Sequence, residues 1–142
     1  MAKKKEKIEY SDDTKLAILT AQLCQDKLAT DVFILDLKNI ETAPSDYFVI
    51  CSCESQPQVE SISDLIYRTS KNYKLFNPNI EGLDSLEWVI LDFFDVVVHI
   101  MLKPVRELYK LEKLWGDAEF YTVNDNADLV SVKYEDVQGI FN

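Results

Sequence analysis

EWVILDFFDVVVHIML, residues 87–102, contains two apolar runs separated only by Phe93-Phe94-Asp95. Both runs, residues 87–92 and residues 96–102, are rich in β-branched and aliphatic side chains, which favours β-strands. Strands joined by so short a connection are antiparallel neighbours, so the stretch predicts a β-hairpin. Because a bulky residue is strained at positive φ, Phe94 argues against a positive-φ turn at this position.

Two more strands are predicted ahead of the hairpin. Val32–Leu37 is short and almost entirely apolar, and a second such run, Asp46–Cys51, follows a turn at Ala43-Pro44-Ser45. Strands without polar alternation are typical of the middle of a sheet, where both faces are covered. The two runs therefore predict the centre of the sheet.

The three cysteines of the chain are expected to be reduced and structural. Because Cys24, Cys51 and Cys53 are three, they cannot all pair within one chain. They also lack the spacing of a zinc site. Side chains two residues apart in a strand point to the same face. Cys51 and Cys53 are therefore predicted to share one buried face.

Three helices complete the predicted secondary structure. The first runs from Thr14 to about Leu28, with Ser11, Asp12 or Asp13 as its N-cap and Leu16, Leu19 and Leu23 at helical spacing. The second begins at the capping box of Ser55 and Gln58, carries Val59, Ile62, Leu65, Ile66 and Tyr73, and ends before Asn77-Pro78-Asn79. The third begins at Pro104 and ends at Gly116, with Val105, Leu108, Leu111 and Trp115 as its apolar face.

The element order predicts an α/β or α+β fold, in which a mixed β-sheet is flanked by helices. We expect residues 1–13 to be a flexible lead-in and residues 14–117 to form the single folded domain. Residues 118–142 are acidic, with scattered apolar positions, and show no confident pattern. They are predicted to be a C-terminal extension.

Composition limits the classes of partner. The formal net charge of −10 opposes the counterion release that drives nucleic-acid binding, so we expect no direct RNA or DNA contact. No apolar run reaches the roughly 18 residues of a membrane span, and the start of the chain lacks the pattern of a secretory signal. The expected location is the cytoplasm. A basic protein is the partner that charge complementarity favours.

Three segments carry a family resemblance: Val32–Leu37 with Ser45–Ile50, then Glu87–Asp92 with Asp95–Ile100 after Glu81-Gly82, and finally Arg106–Asp117. In this order and spacing they resemble the Iojap, or ribosomal silencing factor, family. Two features depart from the family pattern. The family commonly has glycine where this chain has Phe94, and the chain continues past the Trp115-Gly116 signature to Asn142.

The resemblance implies a mixed-sheet fold related to nucleotidyltransferases and a role on the ribosome. A protein of this family would bind ribosomal protein fourteen of the large subunit at the subunit interface. It would then obstruct the small subunit and lower translation when nutrients are scarce. No bond is made or broken in such an action, so the resemblance implies neither an enzyme nor a cofactor.

Six residues are predicted to bind the partner: Trp88, Asp92, Asp95, Arg106, Tyr109 and Glu112. Strand alternation puts Trp88 on one face with Ile90 and Asp92. Because a strand face that carries an aspartate is not purely core, we expect Trp88 to contact the partner rather than to lie in the core. Asp92 and Asp95 flank the hairpin turn, where they pair with a basic partner or are simply solvated. The other three residues lie on adjacent turns of the last helix, where they fix the helix or line the partner face.

Two aromatic or titratable residues are assigned to the structure rather than to binding. His99 is the only histidine, and a hydrogen-bonded structural role is favoured over that of a proton carrier. Trp115, at the end of the predicted apolar stripe, is interpreted as core.

Two other functions remain open. A metal-dependent nucleotidyltransferase-like enzyme would use carboxylates such as Asp36, Asp46, Asp92 and Asp95, but the chain lacks a phosphate-binding Gly-Ser turn and an Asp-x-Asp pair. A dimeric adaptor is the other alternative, because an exposed tryptophan and acidic edges suit a second copy equally well. A homodimer is therefore possible away from the ribosome.

Overall fold

A computed structural model describes residues 8–72 and 77–140, within which the chain forms seven strands and five helices. In chain order these are α1 (Asp12–Asp26), β1 (Thr30–Asp36), β2 (Tyr47–Cys53), α2 (Gln56–Asn72), β3 (Asn79–Glu81), β4 (Trp88–Asp92), β5 (Val96–Leu102), α3 (Lys103–Tyr109), α4 (Leu111–Leu114), β6 (Glu119–Val123), β7 (Leu129–Val132) and α5 (Tyr134–Ile140). The strands form one sheet in the order β3-β4-β5-β2-β1-β6-β7. The predicted mixed sheet with flanking helices is confirmed. Tyr73 of the predicted α2 stripe lies outside the described residues.

The centre of the sheet is the parallel pair of β2 and β5, and the other adjacent pairs are antiparallel. The parallel register runs from Tyr47 opposite Val96 to Cys53 opposite Leu102. Every residue of β2 is buried, because the strand has a neighbour on each side and helices over both faces. This double burial explains the apolar composition from which β2 was predicted.

Helices cover the two faces of the sheet unequally. The described buried apolar residues form two clusters. The first cluster lies between the sheet and the long helices α1 and α2, and it includes Cys24, Cys51 and Cys53. The predicted shared burial of Cys51 and Cys53 is confirmed. A contact from the Cys24 thiol and burial both raise the pKa of the Cys51 thiol. The second cluster of buried apolar residues, which includes Phe33, Phe48 and Met101, lies on the opposite face, where α3, α4 and α5 are the described helices that pack against the sheet.

The β4–β5 turn differs from the sequence expectation. Phe94 has a φ of 77°, so the argument against a positive-φ turn was wrong. The Phe94 side chain is 76% exposed. Its backbone N–H donates to the Asp92 carboxylate at 2.8 Å, and the Phe93 N–H donates to the Val96 carbonyl at 2.8 Å. These bonds hold the turn, and a left-handed backbone costs a non-glycine residue about 1–2 kcal/mol.

Replacing Phe94 with glycine should therefore stabilise the protein. The expected gain is up to about 1 kcal/mol in the free energy of unfolding over Phe94→Ala, because glycine removes the Cβ strain but adds entropy to the unfolded chain. Both variants delete the same exposed ring, so alanine is the matched control. Urea unfolding measures the difference. A Phe94→Gly variant that is less stable than Phe94→Ala would show that the strain at this position is smaller than the entropic cost of glycine.

The last predicted helix is broken in two. Lys110 has a φ of 49°, and this left-handed residue ends α3 and precedes α4. The turn rotates the chain, so one helical period does not continue from Pro104 to Gly116. The prediction that Leu108 faces the core is consequently wrong, because Leu108 is exposed, whereas Leu111 is buried as expected.

The segment predicted as a C-terminal extension is part of the sheet as far as the structure describes it. Strand β6 pairs antiparallel with β1, and β7 pairs with β6. Helix α5 buries Val137, and the Phe120 and Tyr134 rings stack at 5.5 Å. The predicted boundary after Asp117 therefore precedes two strands that share the core. Phe120, Val123 and Val137 are the buried apolar residues in the described part of this segment.

The last residues of the predicted lead-in make hydrogen bonds with the folded domain. Ser11 caps α1, with its hydroxyl accepting from the Thr14 N–H at 3.3 Å. The Tyr10 hydroxyl donates to Asp128 at 3.4 Å and accepts from the Leu129 N–H at 3.2 Å. Residues 1–7 of the predicted lead-in lie outside the described ranges. Across the described ranges, none of the helices has both the length and the apolar content that crossing a membrane requires.

Candidate partner-binding surface

Trp88 lies at the start of β4, half-buried, on the face opposite α1 and α2. Its indole N–H donates to Nδ1 of His99 at 3.1 Å. The Trp88 ring also lies 5.0 Å from the Tyr109 ring, measured between centroids. One part of the side chain therefore packs against the second cluster, and another part remains accessible. The two roles considered for Trp88, contact and core, are both compatible with this position.

His99 is a buried, hydrogen-bonded residue of β5. Nδ1 accepts the Trp88 indole hydrogen, so in the neutral ring the proton is assigned to Nε2. Burial lowers the pKa of His99 to about 4. The ring is therefore neutral at pH 7, and the predicted structural role is confirmed by the hydrogen bond.

Because His99 is buried, we expect its imidazole ring to titrate at a lower pH than an exposed histidine. The folded-state pKa of about 4 is below the 6.5 of an unperturbed histidine, so the stability that neutral His99 contributes is fully present above pH 6.5. It is lost as the pH falls through 4, because protonation also makes Nδ1 a donor and breaks the bond from Trp88. The single imidazole resonance can be followed by NMR. We expect a midpoint near 4, and a midpoint near 6.5 would contradict the burial argument.

Arg106 and Glu112 form an ion pair inside the protein. They are 0% and 4% exposed, and Nε of Arg106 donates to Oε1 of Glu112 at 2.7 Å. Nη1 of Arg106 also donates to the Asp31 carbonyl at 2.7 Å and to the Ser52 hydroxyl at 3.0 Å. The pair therefore joins α3 and α4 to β1 and β2. Of the two roles predicted for these residues, fixing the helix fits their burial, and direct partner contact does not.

The fixed helices present apolar side chains to solvent. Leu108, Tyr109 and Leu114 are 75%, 57% and 69% exposed, and we call these three residues the α3–α4 corner. Tyr109 joins the corner to Trp88 through its ring contact. Exposed apolar residues that cluster in this way mark interaction sites more often than isolated ones do. Sequence periodicity missed Leu108 and Leu114, because nothing in the residue types near Lys110 signals a left-handed break.

The two predicted aspartates lie away from Trp88. Asp92 ends β4, roughly 13 Å along the strand from Trp88 at the usual rise per residue. Its carboxylate accepts from the Phe94 N–H, so Asp92 also stabilises the hairpin turn. The backbone carbonyl of Asp95 accepts from the N–H groups of Asp46 and Tyr47, both at 3.0 Å.

The Asp95 carboxylate belongs to a group of three acids on the α1 side. Carboxylate oxygens of Asp13, Asp46 and Asp95 lie within 4.8 Å of one another. Burial, followed by the charges of Asp95 and Asp46, raises the pKa of Asp13. Of the four acids considered for a nucleotidyltransferase-like site, Asp46 and Asp95 share this group, whereas Asp36 contacts Lys38 and Asp92 caps the turn.

Comparison with known proteins identifies the same family as the sequence motifs. The profile of a family described as "Ribosomal silencing factor during starvation" matches residues 10–138. The ribosomal silencing factor of Bacillus subtilis (strain 168) is 41% identical over 100 residues, covering 70% of this chain and 84% of that protein. The counterpart from Halalkalibacterium halodurans is 36% identical, covering 73% of this chain and 88% of that protein.

A solved structure agrees with these relatives. The X-ray structure of a Chromobacterium violaceum protein superposes with a TM-score of 0.66 at 32% identity, covering 77% of this chain and 88% of that chain. The matched family region extends through β6 and β7 into α5, so these elements lie within the family's fold. The chain belongs to the ribosomal silencing factor family.

Proposed function

We propose that this protein binds the large ribosomal subunit through ribosomal protein fourteen and sterically prevents the small subunit from joining. The observation that carries the proposal is the α3–α4 corner beside Trp88 in a chain whose relatives are ribosomal silencing factors. Its apolar side chains form the anchor of the interface. Blocked joining represses translation under nutrient limitation, and the compartment is the cytoplasm.

The centre of this interface consists of aromatic and aliphatic side chains on a rigid base. Tryptophan and tyrosine are enriched among residues that dominate binding energy, because they bury a large area with few rotatable bonds. Here Trp88 is held by His99, and Tyr109 is held at the end of a helix that the Arg106–Glu112 pair fixes. A surface held in this way loses little conformational entropy on binding.

The net charge of the protein favours a basic partner, but the charges near the α3–α4 corner are not all negative. The net charge of −10 favours association with a basic surface, and Asp92 supplies a carboxylate along β4. The corner itself carries the exposed side chains of Lys110 and Lys113. We therefore propose that the partner presents an apolar patch, with basic residues opposite β4 and acidic groups opposite these two lysines.

The proposed action needs no catalysis. A bulky protein on the joining face obstructs the second subunit by excluded volume, so no bond has to change. The nucleotidyltransferase-like alternative is less well supported, because the chain lacks a phosphate-binding Gly-Ser turn and, of its four candidate acids, Asp36 pairs with Lys38 and Asp92 accepts from the Phe94 N–H. A second copy of the chain could cover the same corner, and a homodimer formed in this way would compete with the ribosome.

The purified protein should co-sediment with isolated large subunits and not with small subunits. Apolar contacts supply the affinity and the opposed charges accelerate encounter, so the association rate should fall as the salt concentration rises. Sedimentation through a sucrose cushion measures binding, and stopped-flow fluorescence of the tryptophans measures the rate. Co-sedimentation with small subunits alone would overturn the proposal, and a rate that ignores salt would refute the role of charge.

A further inference from the structure

A second candidate surface lies on the other face of the sheet from Trp88. A groove of about 610 Å³ separates α2 from the β3 end of the sheet. Its apolar lining comes from Pro57, Tyr67, Ile80 and Leu83. This volume lies in the range of roughly 300–1,000 Å³ that is typical of occupied binding sites. Ile80 packs against the first cluster, whereas Trp88 packs against the second, so the groove is separate from the surface already described.

Backbone geometry keeps the groove in shape. Gly82 has a φ of 93°, and a Cβ on it would lie 2.0 Å from the Trp88 carbonyl oxygen, so only glycine fits this turn. The Leu86 N–H donates to the Gly82 carbonyl at 2.9 Å, which closes the turn that carries Leu83. The Gln56 side-chain amide donates to the Ser85 carbonyl at 2.9 Å and ties the turn to the start of α2. Leu83 is therefore held exposed at the groove by a fixed loop.

Strand β3 borders this groove and ends the sheet that the described residues form. It pairs with β4 in the register Asn79 opposite Asp92 and Glu81 opposite Ile90. The outer edge of such a strand presents backbone groups to which another extended chain can pair. Adding a strand at an edge of this kind, with alternate side chains set into an adjacent groove, is a recurring mode of peptide recognition.

The charges around the groove select the kind of chain that can add there. Glu60 and Asp64 line it, Glu81 lies in β3 and Asp84 lies in the adjoining turn. Arg68 offsets Asp64 through an ion pair of 2.9 Å. The remaining carboxylates favour a cationic segment. They also disfavour a second copy of this chain in the same groove, because that pairing would bring like charges together.

We propose that an extended segment of another protein, in which apolar residues alternate with lysine or arginine, adds to β3 as a further strand. Its apolar side chains fill the groove between α2 and Leu83. Its cationic side chains point to the other face of the sheet, on which Glu81 lies because it neighbours the groove-lining Ile80 in β3. The inference does not depend on ribosome binding, because it uses the opposite face of the sheet.

A fluorescein-labelled peptide in which valine alternates with lysine is the probe. Fluorescence anisotropy should show saturable binding with a Kd below roughly 1 mM, which weakens as salt rises. Leu83→Ser should weaken binding by about fivefold or more, equal to about 1 kcal/mol. Val130→Ser is the matched control, because Val130 is an exposed apolar residue on β7 at the opposite edge of the sheet. Glu81→Lys should also weaken binding, whereas Glu135→Lys on α5 should not.

Amide hydrogen exchange on the full chain tests the strand addition itself. The peptide should slow exchange within Asn79–Glu81, and a peptide of the same composition with its valines in one block should not. The proposal is overturned if the alternating peptide fails to saturate up to roughly 1 mM. It is equally overturned if Leu83→Ser and Val130→Ser have the same effect, or if bound peptide leaves exchange in β3 unchanged.

Discussion

Replacing Glu112 with glutamine is expected to lower the free energy of unfolding by about 3–5 kcal/mol, the range for breaking one side of a buried ion pair. Glutamine keeps the size of the side chain but leaves the Arg106 guanidinium charged and buried without its carboxylate. The loss should be large because Arg106 is fully buried and joins α3 to β1 and β2. Urea unfolding followed by circular dichroism measures it.

Two comparisons separate this effect from a general sensitivity of the helix. Glu107 is an exposed acid on α3, so Glu107→Gln should change stability by less than about 0.5 kcal/mol. Substituting the whole pair, Arg106→Met with Glu112→Leu, should recover most of the loss, because two apolar side chains leave no charge behind. A Glu112→Gln variant as stable as the Glu107→Gln control would show that the pair does not fix α3 and α4.

Replacing Trp88 with alanine should affect both folding and binding. The side chain is half-buried against the second cluster and donates to His99, so its loss should cost about 3 kcal/mol of stability, the low end for deleting such a ring. The variant also removes the ring against which Tyr109 packs. Binding of the folded fraction to large subunits should therefore weaken by roughly thirtyfold, or about 2 kcal/mol.

Trp115→Ala is the control for this variant. Trp115 packs against the second cluster, as predicted, with its ring 6.0 Å from that of Phe48. Its deletion should destabilise the protein without weakening the binding of the folded fraction. Thermal unfolding and subunit binding are measured on the same preparation. Undiminished binding by folded Trp88→Ala would show that Trp88 serves the core alone.

Much of the fold could be predicted because the central strands are buried on both faces. Burial of that kind favours apolar residues at successive positions, so the middle of β1 and most of β2 and β5 are apolar. The outer strands carry a weaker signal. Strand β7 has an exposed Val130 and only half-buried ends, and β3 has three residues, so neither was predicted.

Two backbone features were hidden because residue types do not report them. Phe94 and Lys110 both adopt positive φ, although neither is glycine or asparagine. The surrounding structure imposes these conformations, through the Asp92 carboxylate at one turn and the Arg106 carbonyl at the other. Local preference alone therefore predicted the wrong turn and an unbroken helix.

Only part of the candidate partner-binding surface could be predicted from the sequence. Trp88 and Tyr109 were proposed from their types, and the structure brings them together. Leu108 and Leu114 were missed because the left-handed Lys110 interrupts the helical period from which the apolar face was predicted. Arg106 and Glu112 were proposed, from their positions on adjacent turns, either to fix the last helix or to line the partner face, and their buried ion pair fits the first role.

Subunit joining is the measurement that tests the central claim most directly. Large subunits are incubated with the protein, small subunits are added under conditions that favour joining, and whole ribosomes are separated on a sucrose gradient. The account predicts that the whole-ribosome peak falls, and reaches a limit, as the protein concentration rises. Tyr109→Ala at the same concentration should leave the peak close to its untreated height, because the exposed anchor is missing. An unchanged peak while the protein co-sediments with large subunits would contradict the account.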